Sequence, residues 1–361
     1  MILKMESKTN LVKRFALKGP LILAPLSGGP STPALVAAVS NAGGLGSLGV
    51  AYLKPEAITR EIQETRQWTS KAFAVNLFVP AKVPAVDEVS IHRALKATHA
   101  YREELGIPDP VVKPPYGENF DLQFEAVIRE RPAALSFTFG LLEKKYLDEC
   151  RKQNIFVIGT ATTLEEALAL QDSEVDAIVA QGVEAGGHRG IFSTEAEDPN
   201  VGIFPLVEMM FAKVKLPIIA AGGIMNGQGI AAALALGAQA AQLGTAFLTC
   251  EEAGTSKPYR QVLLSSEKKK TRLTRAFSGR WARGFENRFM QEIDTHHKEA
   301  ILPFPIQNSF TRDIRNKASQ TNRPEFLSLW AGEGYSLLRT MKAAELTEIL
   351  LSEFEEARQV R

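Results

Sequence analysis

Eight short apolar runs, amphipathic stretches between them, and glycine-rich strand ends late in the chain predict an α/β protein, a (β/α)8 TIM barrel. Strands covered by helices on both faces read as continuous apolar runs rather than as alternating ones. The runs are residues 21–26, 44–49, 73–78, 134–140, 156–161, 177–182, 217–223 and 240–248. Helices are expected between them, for example over 32–42, 55–68, 122–130, 143–152, 163–171 and 227–236. Thr163-Leu164-Glu165-Glu166 has the form of a capping box, and Asp121 stands ahead of the helix expected at 122–130. Residues 343–357 read as a closing amphipathic helix.

Two segments break the repeat. Residues 79–119 follow the third strand, are rich in proline, and hold one helical piece near 91–105. Residues 251–340 follow the eighth strand and are long, basic in their first half and rich in aromatics. Insertions at the C-terminal ends of barrel strands sit over the catalytic face. The expected organisation is therefore a barrel over 1–250 with an insertion at 79–119, a substrate-binding cap or lid over 251–340, and a C-terminal helix over 341–361 packing on the barrel. The plainer alternative is that both segments only wrap the barrel surface.

Composition narrows the class. The chain has 361 residues, 45% of them apolar, enough for a sizeable core. Lys plus Arg number 42 and Asp plus Glu 41, so the balance gives no argument for nucleic acid or an anionic membrane as partner. Two cysteines, Cys150 and Cys250, are too few for a disulfide framework or a structural zinc site, and a cytoplasmic setting is expected. Residues 1–17 carry no apolar core of a secretion signal. The most apolar long stretch, 230–250, is interrupted by Gly237, Gln239, Gln242 and Gly244 and reads as helix, turn and strand rather than as a membrane span.

The chemistry-bearing residues gather at strand ends. Gly44-Leu45-Gly46-Ser47-Leu48-Gly49 matches a dinucleotide fingerprint, but it follows a helix and lies within a strand, the reverse of what that motif requires. More informative is the run 217–224, an apolar strand ending in Gly222-Gly223 with Asn226 as N-cap of the next helix. Glycines let N–H groups approach an anion, a helix N-terminus adds a positive dipole, and barrels commonly bind phosphate after strands seven and eight. Gln242-Leu243-Gly244-Thr245 ends the eighth strand with a glycine and a hydroxyl beside the first pair. The sixth strand runs into Gln181-Gly182-Val183-Glu184-Ala185-Gly186-Gly187-His188-Arg189-Gly190, where four glycines surround one histidine at the catalytic end of the barrel. His188 is the candidate catalytic residue; His92, His99, His296 and His297 read as surface residues. Asn76, near the end of the apolar third strand, and Gln181 carry amides that both donate and accept, which suits the O2/N3/O4 edge of a flavin ring. No His, Cys and carboxylate cluster has metal-ligand spacing, so no metal is expected. Lys268-Lys269-Lys270 with Arg272, Arg275, Arg280 and Arg283 suggest a solvated cap face or a site that attracts an anionic substrate rather than a nucleic-acid patch.

These motifs resemble those of nitronate monooxygenases, formerly 2-nitropropane dioxygenases, of the class I type. The resemblance rests on Ala24-Pro25-Leu26-Ser27-Gly28-Gly29-Pro30-Ser31-Thr32-Pro33, Ser40-Asn41-Ala42-Gly43-Gly44-Leu45-Gly46, the 181–190 segment, the paired glycines and the 242–245 turn. It extends to Leu302-Pro303-Phe304-Pro305-Ile306-Gln307-Asn308 and Trp330-Ala331-Gly332-Glu333-Gly334. It implies a non-covalent FMN in the barrel mouth. Asn76 and Gln181 would meet the ring, Gly186 the cofactor through its backbone, and Gly223 with Gln242, Leu243, Gly244 and Thr245 the phosphate. His188 would sit beside the reactive face. The implied reaction oxidises an alkyl nitronate such as propionate 3-nitronate with O2 to a carbonyl compound and nitrite. A cationic His188 would stabilise the anion, and a neutral one could remove the α-proton of a nitroalkane. Small nitronates and O2 are the expected partners, and the resemblance leaves room for a homodimer. Two departures stand out: Leu26, where a Met is expected and packing near the ring would be altered, and Glu333, where a Gln is expected and a charge could oppose an anionic substrate. The competing expectations are an NAD(P)H-dependent flavin reductase, of quinone or enoyl-acyl-carrier-protein type, and a non-catalytic metabolite-binding barrel.

Overall fold

Each of the eight apolar runs becomes a strand in the computed structural model, which describes residues 10–80, 82–265 and 270–359. They are β1 (Leu21–Leu23), β2 (Gly46–Gly49), β3 (Phe73–Phe78), β4 (Ala134–Thr138), β5 (Phe156–Ala161) and β6 (Ala177–Gln181), followed after a short extra strand by two more. The extra strand is β7 (Gly187–His188), and the last two of the barrel are β8 (Ile218–Ala221) and β9 (Ala240–Leu243). All barrel pairings are parallel, in the order β1-β9-β8-β6-β5-β4-β3-β2. A parallel bridge between Ile22 and Leu45 joins the two ends. There the Leu23 N–H donates to Leu45 O at 2.9 Å and the Leu45 N–H to Leu21 O at 3.0 Å. The sheet therefore closes into a (β/α)8 barrel.

Several strands are shorter than the apolar runs, for reasons local to each. Pro25 has no N–H to donate to a ladder. Gly222 and Gly223 turn the chain away from β8 at φ +130° and +65°, conformations glycine adopts freely. Beyond β9 the apolar run coils into a 3-10 turn, Thr245–Phe247, instead of continuing as a strand. The helices keep close to their expected spans, with Pro55–Trp68 matching at both ends. Asn226 caps Gly227–Ala235 by accepting from Gly229 N–H at 2.8 Å. At Phe120–Glu130 the cap is Asn119, not Asp121; the Asp121 carboxylate instead accepts from the Tyr146 hydroxyl. The expected capping box is half formed. Thr163 accepts from Glu166 N–H at 3.2 Å, but the Glu166 carboxylate takes the Thr162 N–H and hydroxyl at 2.7 and 2.8 Å and the Phe192 N–H at 2.8 Å.

The two irregular segments pack on one another over the C-terminal ends of the strands. Helix Glu88–Leu105 of the insertion sends the buried Arg102 to Asp313 at 2.5 Å and to the Phe310 carbonyl at 2.8 Å. Tyr101 and Leu105 join Phe277, Phe285, Phe289 and Phe326 in an apolar cluster separate from the barrel core. A hairpin of β10 (Thr271–Thr274) and β11 (Ala282–Phe285) then pairs antiparallel with β7. The glycine segment around His188 is thus a sheet edge and not the free loop that its composition suggests. The arginines of the basic run are not a solvated face either. Arg272 meets Asp294 at 2.8 Å, Arg275 Nε donates to Gly279 O at 2.9 Å, Arg280 is buried, and Arg283 Nε donates to Val183 O at 2.7 Å. Lys268 and Lys269 lie outside the described residues. Helix Ala343–Gln359 packs on helices Pro33–Ala42 and Gly227–Ala235. Among the described residues no helix is long and apolar enough to cross a membrane.

Candidate active site

A cavity of about 490 Å³ opens at the C-terminal ends of the barrel strands, within the size range of small-molecule and cofactor sites. Asn76, Gln181, Gly186, His188, Gly223, Gln242, Gly244 and Thr245 all line it. Leu243 does not: its side chain is buried in the barrel core and its carbonyl accepts from Ala24 N–H at 2.8 Å. Among the described residues, Arg312 and Arg315 are the only ionic side chains in the lining apart from the titratable His188, and no carboxylate faces the cavity. No group of three or more His, Cys, Asp or Glu side chains among them could hold a metal ion.

His188 is fixed from both sides. β7 pairs its backbone with Ala282, and its carbonyl accepts from Gln181 Nε2 at 2.9 Å. Its ring lies among Phe78, Phe139 and Trp330, with centroids 6.3, 5.9 and 5.5 Å away. Nε2 is 2.8 Å from the hydroxyl of the buried Ser278. That hydroxyl has one proton and a second acceptor, the Arg280 carbonyl at 3.2 Å. His188 therefore carries its proton on Nε2 when Ser278 points to Arg280, and on Nδ1 when Ser278 points to the ring. Nδ1 has no partner among the described residues. Burial first, then the charges of Arg280 and Arg315, push the His188 pKa down to about 3. The imidazole is therefore neutral at physiological pH, the form that can accept a proton.

Gln181 is turned toward the protein more than its place in the motif suggests. Its Oε1 accepts from Arg189 Nη1 at 2.9 Å and from Gly190 N–H at 2.8 Å, so the amide ties the chain into its turn. Asn76 Nδ2 donates to Ser136 Oγ at 2.9 Å, leaving Oδ1 free of protein partners among the described residues. Thr245 Oγ accepts from Gly332 N–H at 3.0 Å and keeps its own proton to give. Gly332 fits because a Cβ there would stand 2.7 Å from the Glu184 carbonyl.

The residues suit a flat ring with a phosphate at one end. Gly223, Gly244 and Thr245 bring two adjacent strand ends with glycine backbone and a hydroxyl to one end of the cavity. At Gly187 and at Gly28 a Cβ would project into open space, room that a ligand can take. Ser27, also in the lining, has a buried Oγ with no protein partner among the described residues. An orphaned buried hydroxyl of this kind needs a partner from a ligand or water.

Sequence reasoning missed Tyr52, Ser278, Arg312 and Arg315, and quoted Trp330 in a motif without placing it in the site. No motif marks the first four, because they come from a barrel loop and from cap segments whose placement depends on tertiary packing. Leu26 lines the cavity as expected. Glu333 does not: it is half exposed and pairs with Arg283 at 3.0 Å, so its charge is met outside the site.

Comparison with known proteins agrees with this architecture. The nitronate monooxygenase family model matches residues 9–353. A probable nitronate monooxygenase of Staphylococcus aureus strain Newman is 36% identical over 99% of this chain and 100% of its own length, and that of strain JH9 is 37% identical over the same shares. The structure of nitroalkane oxidase from Streptomyces ansochromogenes superposes with a TM-score of 0.90 at 34% identity, covering 98% of this chain and 99% of that one. FabK from Thermotoga maritima is more distant, with a TM-score of 0.74 and 26% identity over 98% of both chains. With the barrel, the histidine edge and the paired glycines in place along a match of this length, the chain belongs to the nitronate monooxygenase family of oxidoreductases.

Proposed function

We propose that this enzyme is an FMN-dependent nitronate monooxygenase that oxidises alkyl nitronates, propionate 3-nitronate among them, with O2 to carbonyl compounds and nitrite. The observation that carries the reading is a neutral, rigidly held His188 in a cavity whose lining has arginines and backbone donors but no carboxylate. Such a lining favours an anionic substrate and suits the phosphate of FMN. In this reading Gly223, Gly244 and Thr245 hold the phosphate, while Asn76, Gly186 and Gln181 border the ring. When bound, FMN supplies the electron-accepting and oxygen-reacting chemistry. His188 takes the α-proton when a nitroalkane enters, through Nδ1 with Nε2 hydrogen-bonded to Ser278. The 251–340 segment serves as the substrate cap and keeps water from the reacting carbon. A cytoplasmic setting accords with Cys150 and Cys250, both unpaired and buried.

The test is anaerobic stopped-flow reduction of the FMN-loaded protein by propionate 3-nitronate, NADH and NADPH. Rapid flavin reduction by the nitronate alone is expected. Rapid bleaching by a nicotinamide alone would replace this reading with the flavin reductase one. His188→Asn should keep FMN bound and lose most turnover of a nitroalkane; unchanged rates with nitroalkane and nitronate alike would remove the histidine from the mechanism.

A further inference from the structure

We propose that Arg280 is a positioning residue for proton transfer: clamped on the face of Phe139 and tied to Ser278 through its backbone, it holds the His188 ring in the place from which it takes the α-proton of a nitroalkane. The inference rests on His188 acting as the base, and adds a residue that does not itself line the cavity.

Two unusual features meet beside His188. The first is Phe139, at the exit of β4 just beyond Thr138, which lines the cavity. Its φ of +82° is the highest of the non-glycine residues with positive φ among the described residues, and it is the one aromatic among them. A bulky side chain crowds its own backbone in that region, so the conformation persists only where neighbours enforce it. The second is Arg280, in the turn between β10 and β11 and 3% exposed. No carboxylate lies within 4.0 Å of it among the described residues, and its side chain's one hydrogen bond among them runs from Nη1 to the Ile191 carbonyl at 2.7 Å. Its Nε is buried without an acceptor. Glu166, whose charge acts on Arg280, commits its carboxylate to Thr162 and Phe192. A guanidinium left so in the interior is costly unless something else faces its charge. What faces it is the ring of Phe139, with its centroid 4.0 Å from Cζ, and that of Phe304 at 5.3 Å. An aromatic face attracts a cation most strongly where water is excluded.

Each feature accounts for the other. The cation over its ring holds Phe139 in a conformation that its side chain disfavours, and the ring replaces the carboxylate that Arg280 lacks. The pair bears on His188 from two sides. Phe139 meets the imidazole edge to face, with centroids 5.9 Å apart, and Phe78 packs on Phe139 at 4.6 Å. Ser278, the partner of His188 Nε2, sits in the turn that Arg280 closes. The Arg280 N–H donates to Ser278 Oγ at 3.3 Å, and the Arg280 carbonyl is the second acceptor of that hydroxyl at 3.2 Å. An apolar and a polar contact of the imidazole thus hang on one residue. After burial, Arg280 is also the first of the charges that keep His188 neutral. A base that takes a proton from carbon depends on such fixity, because proton transfer falls off steeply with misplacement.

The experiment compares FMN-loaded wild type, Arg280→Met, Arg280→Lys and Phe139→Leu in kcat/KM for nitroethane, which must lose a proton, and for ethyl nitronate, which has already lost it. Arg280→Met should lower the nitroethane-to-nitronate ratio about 10- to 100-fold, as a displacement of the base by about 1 Å would, mainly through kcat. Arg280→Lys should recover part of the loss, since an ammonium can also sit over the ring. Phe139→Leu should lower the ratio in the same way, and Arg280→Met/Phe139→Leu no further than the worse single variant, because both remove the same contact. If Arg280→Met fails to fold, Arg280→Lys and Phe139→Leu carry the test. The His188 ring signals in the NMR spectrum of histidine-labelled protein, assigned by their absence from His188→Asn, give a readout apart from turnover. One sharp set is expected in the wild type, and a shifted or broadened set in Arg280→Met and Phe139→Leu. An unchanged ratio, with or without equal losses on both substrates, would overturn the proposal, and so would additive losses in the double variant. If His188→Asn itself left the ratio unchanged, the reading of His188 as base would fall. The His188 signals would then still decide whether Arg280 positions the ring: signals unchanged in the variants would remove it from that role.

Discussion

Arg189→Met removes the most heavily used guanidinium near the site. Arg189 is 1% exposed; its Nε donates to Asp198 at 2.7 Å, and its Nη1 reaches the Gln181 carbonyl at 3.2 Å, Gln181 Oε1 at 2.9 Å and the Gly182 carbonyl at 2.6 Å. Methionine fills much of the volume, so the change is chiefly electrostatic. It strands the Asp198 carboxylate, whose side chain is 3% exposed, and takes the Arg189 donor from the Gln181 carbonyl and from the Gly182 carbonyl, the second of which keeps the Ala185 N–H at 3.1 Å. Breaking one side of a buried ion pair costs about 3–5 kcal/mol. The upper half of that range is expected here, because one side chain serves an ion pair and three neutral acceptors at once. Against a total stability of about 5–15 kcal/mol the loss is large. The assay is equilibrium urea unfolding of the apoprotein followed by FMN titration of what remains folded at low urea. Removing both charges in Arg189→Met/Asp198→Leu should recover at least about 1 kcal/mol, since no ion is then left alone in the interior. A loss below about 1 kcal/mol in the single variant would show that water reaches Asp198, and that the clasp does not hold the strand exit.

Three further outcomes follow from the site. The unfolded chain binds a proton at His188 near pH 6.5 and the folded one near 3, so stability rises with pH between these values; His188→Asn should flatten that part of a plot of Tm against pH, and an unchanged slope would mean that the imidazole is charged in the fold. In Gly186→Ala the new Cβ would stand 2.4 Å from Gly332 N and 2.6 Å from the Ala331 carbonyl carbon, both backbone, so a loss of about 1–3 kcal/mol and at least about tenfold weaker FMN binding are expected from thermal melts and flavin titration. Glu333→Gln should change stability by less than about 1 kcal/mol and kcat/KM for an anionic nitronate by no more than about twofold; a larger rise in kcat/KM would put its charge inside the site.

The barrel was legible because its information is local. A strand covered on both faces must be apolar along its whole length, and a strand end that approaches an anion must be glycine, so both features survive as contiguous patterns. Residues 217–224 show it: the apolar stretch, the paired glycines and the Asn226 cap could all be read directly, with only the strand ends displaced. The setting of His188 was not legible in the same way. Its backbone partner is Ala282 and its ring partner Ser278, each about ninety residues further along and in segments without periodicity. The same distance hid the fate of the arginines. A cluster of basic residues in sequence says nothing about which find carboxylates, and Arg272 and Arg283 do while Arg312 and Arg315 do not. Glu333 made the opposite impression, a charge placed in a family motif, until its exposed pairing with Arg283 set it outside the cavity.

The unpaired arginines also explain why a histidine placed in a site for anions is not itself a cation. Desolvation against Phe78, Phe139 and Trp330 is the larger cause of its low pKa, and Arg280 and Arg315 add to it. A charged imidazole there would have to share the cavity with guanidinium groups that have no carboxylate to offset them. Attracting an anion and accepting a proton need opposite charge states of a histidine, and here the first falls to other groups. The arginines provide the field, which pH does not alter in the physiological range, because burial brings Arg280 and Arg315 down only to about 10. His188, being neutral, keeps a lone pair that can accept a proton. An anion seated at Arg315 would cancel part of the field that acts on the ring, so binding itself would make the imidazole a stronger base at the moment when a proton is to be taken.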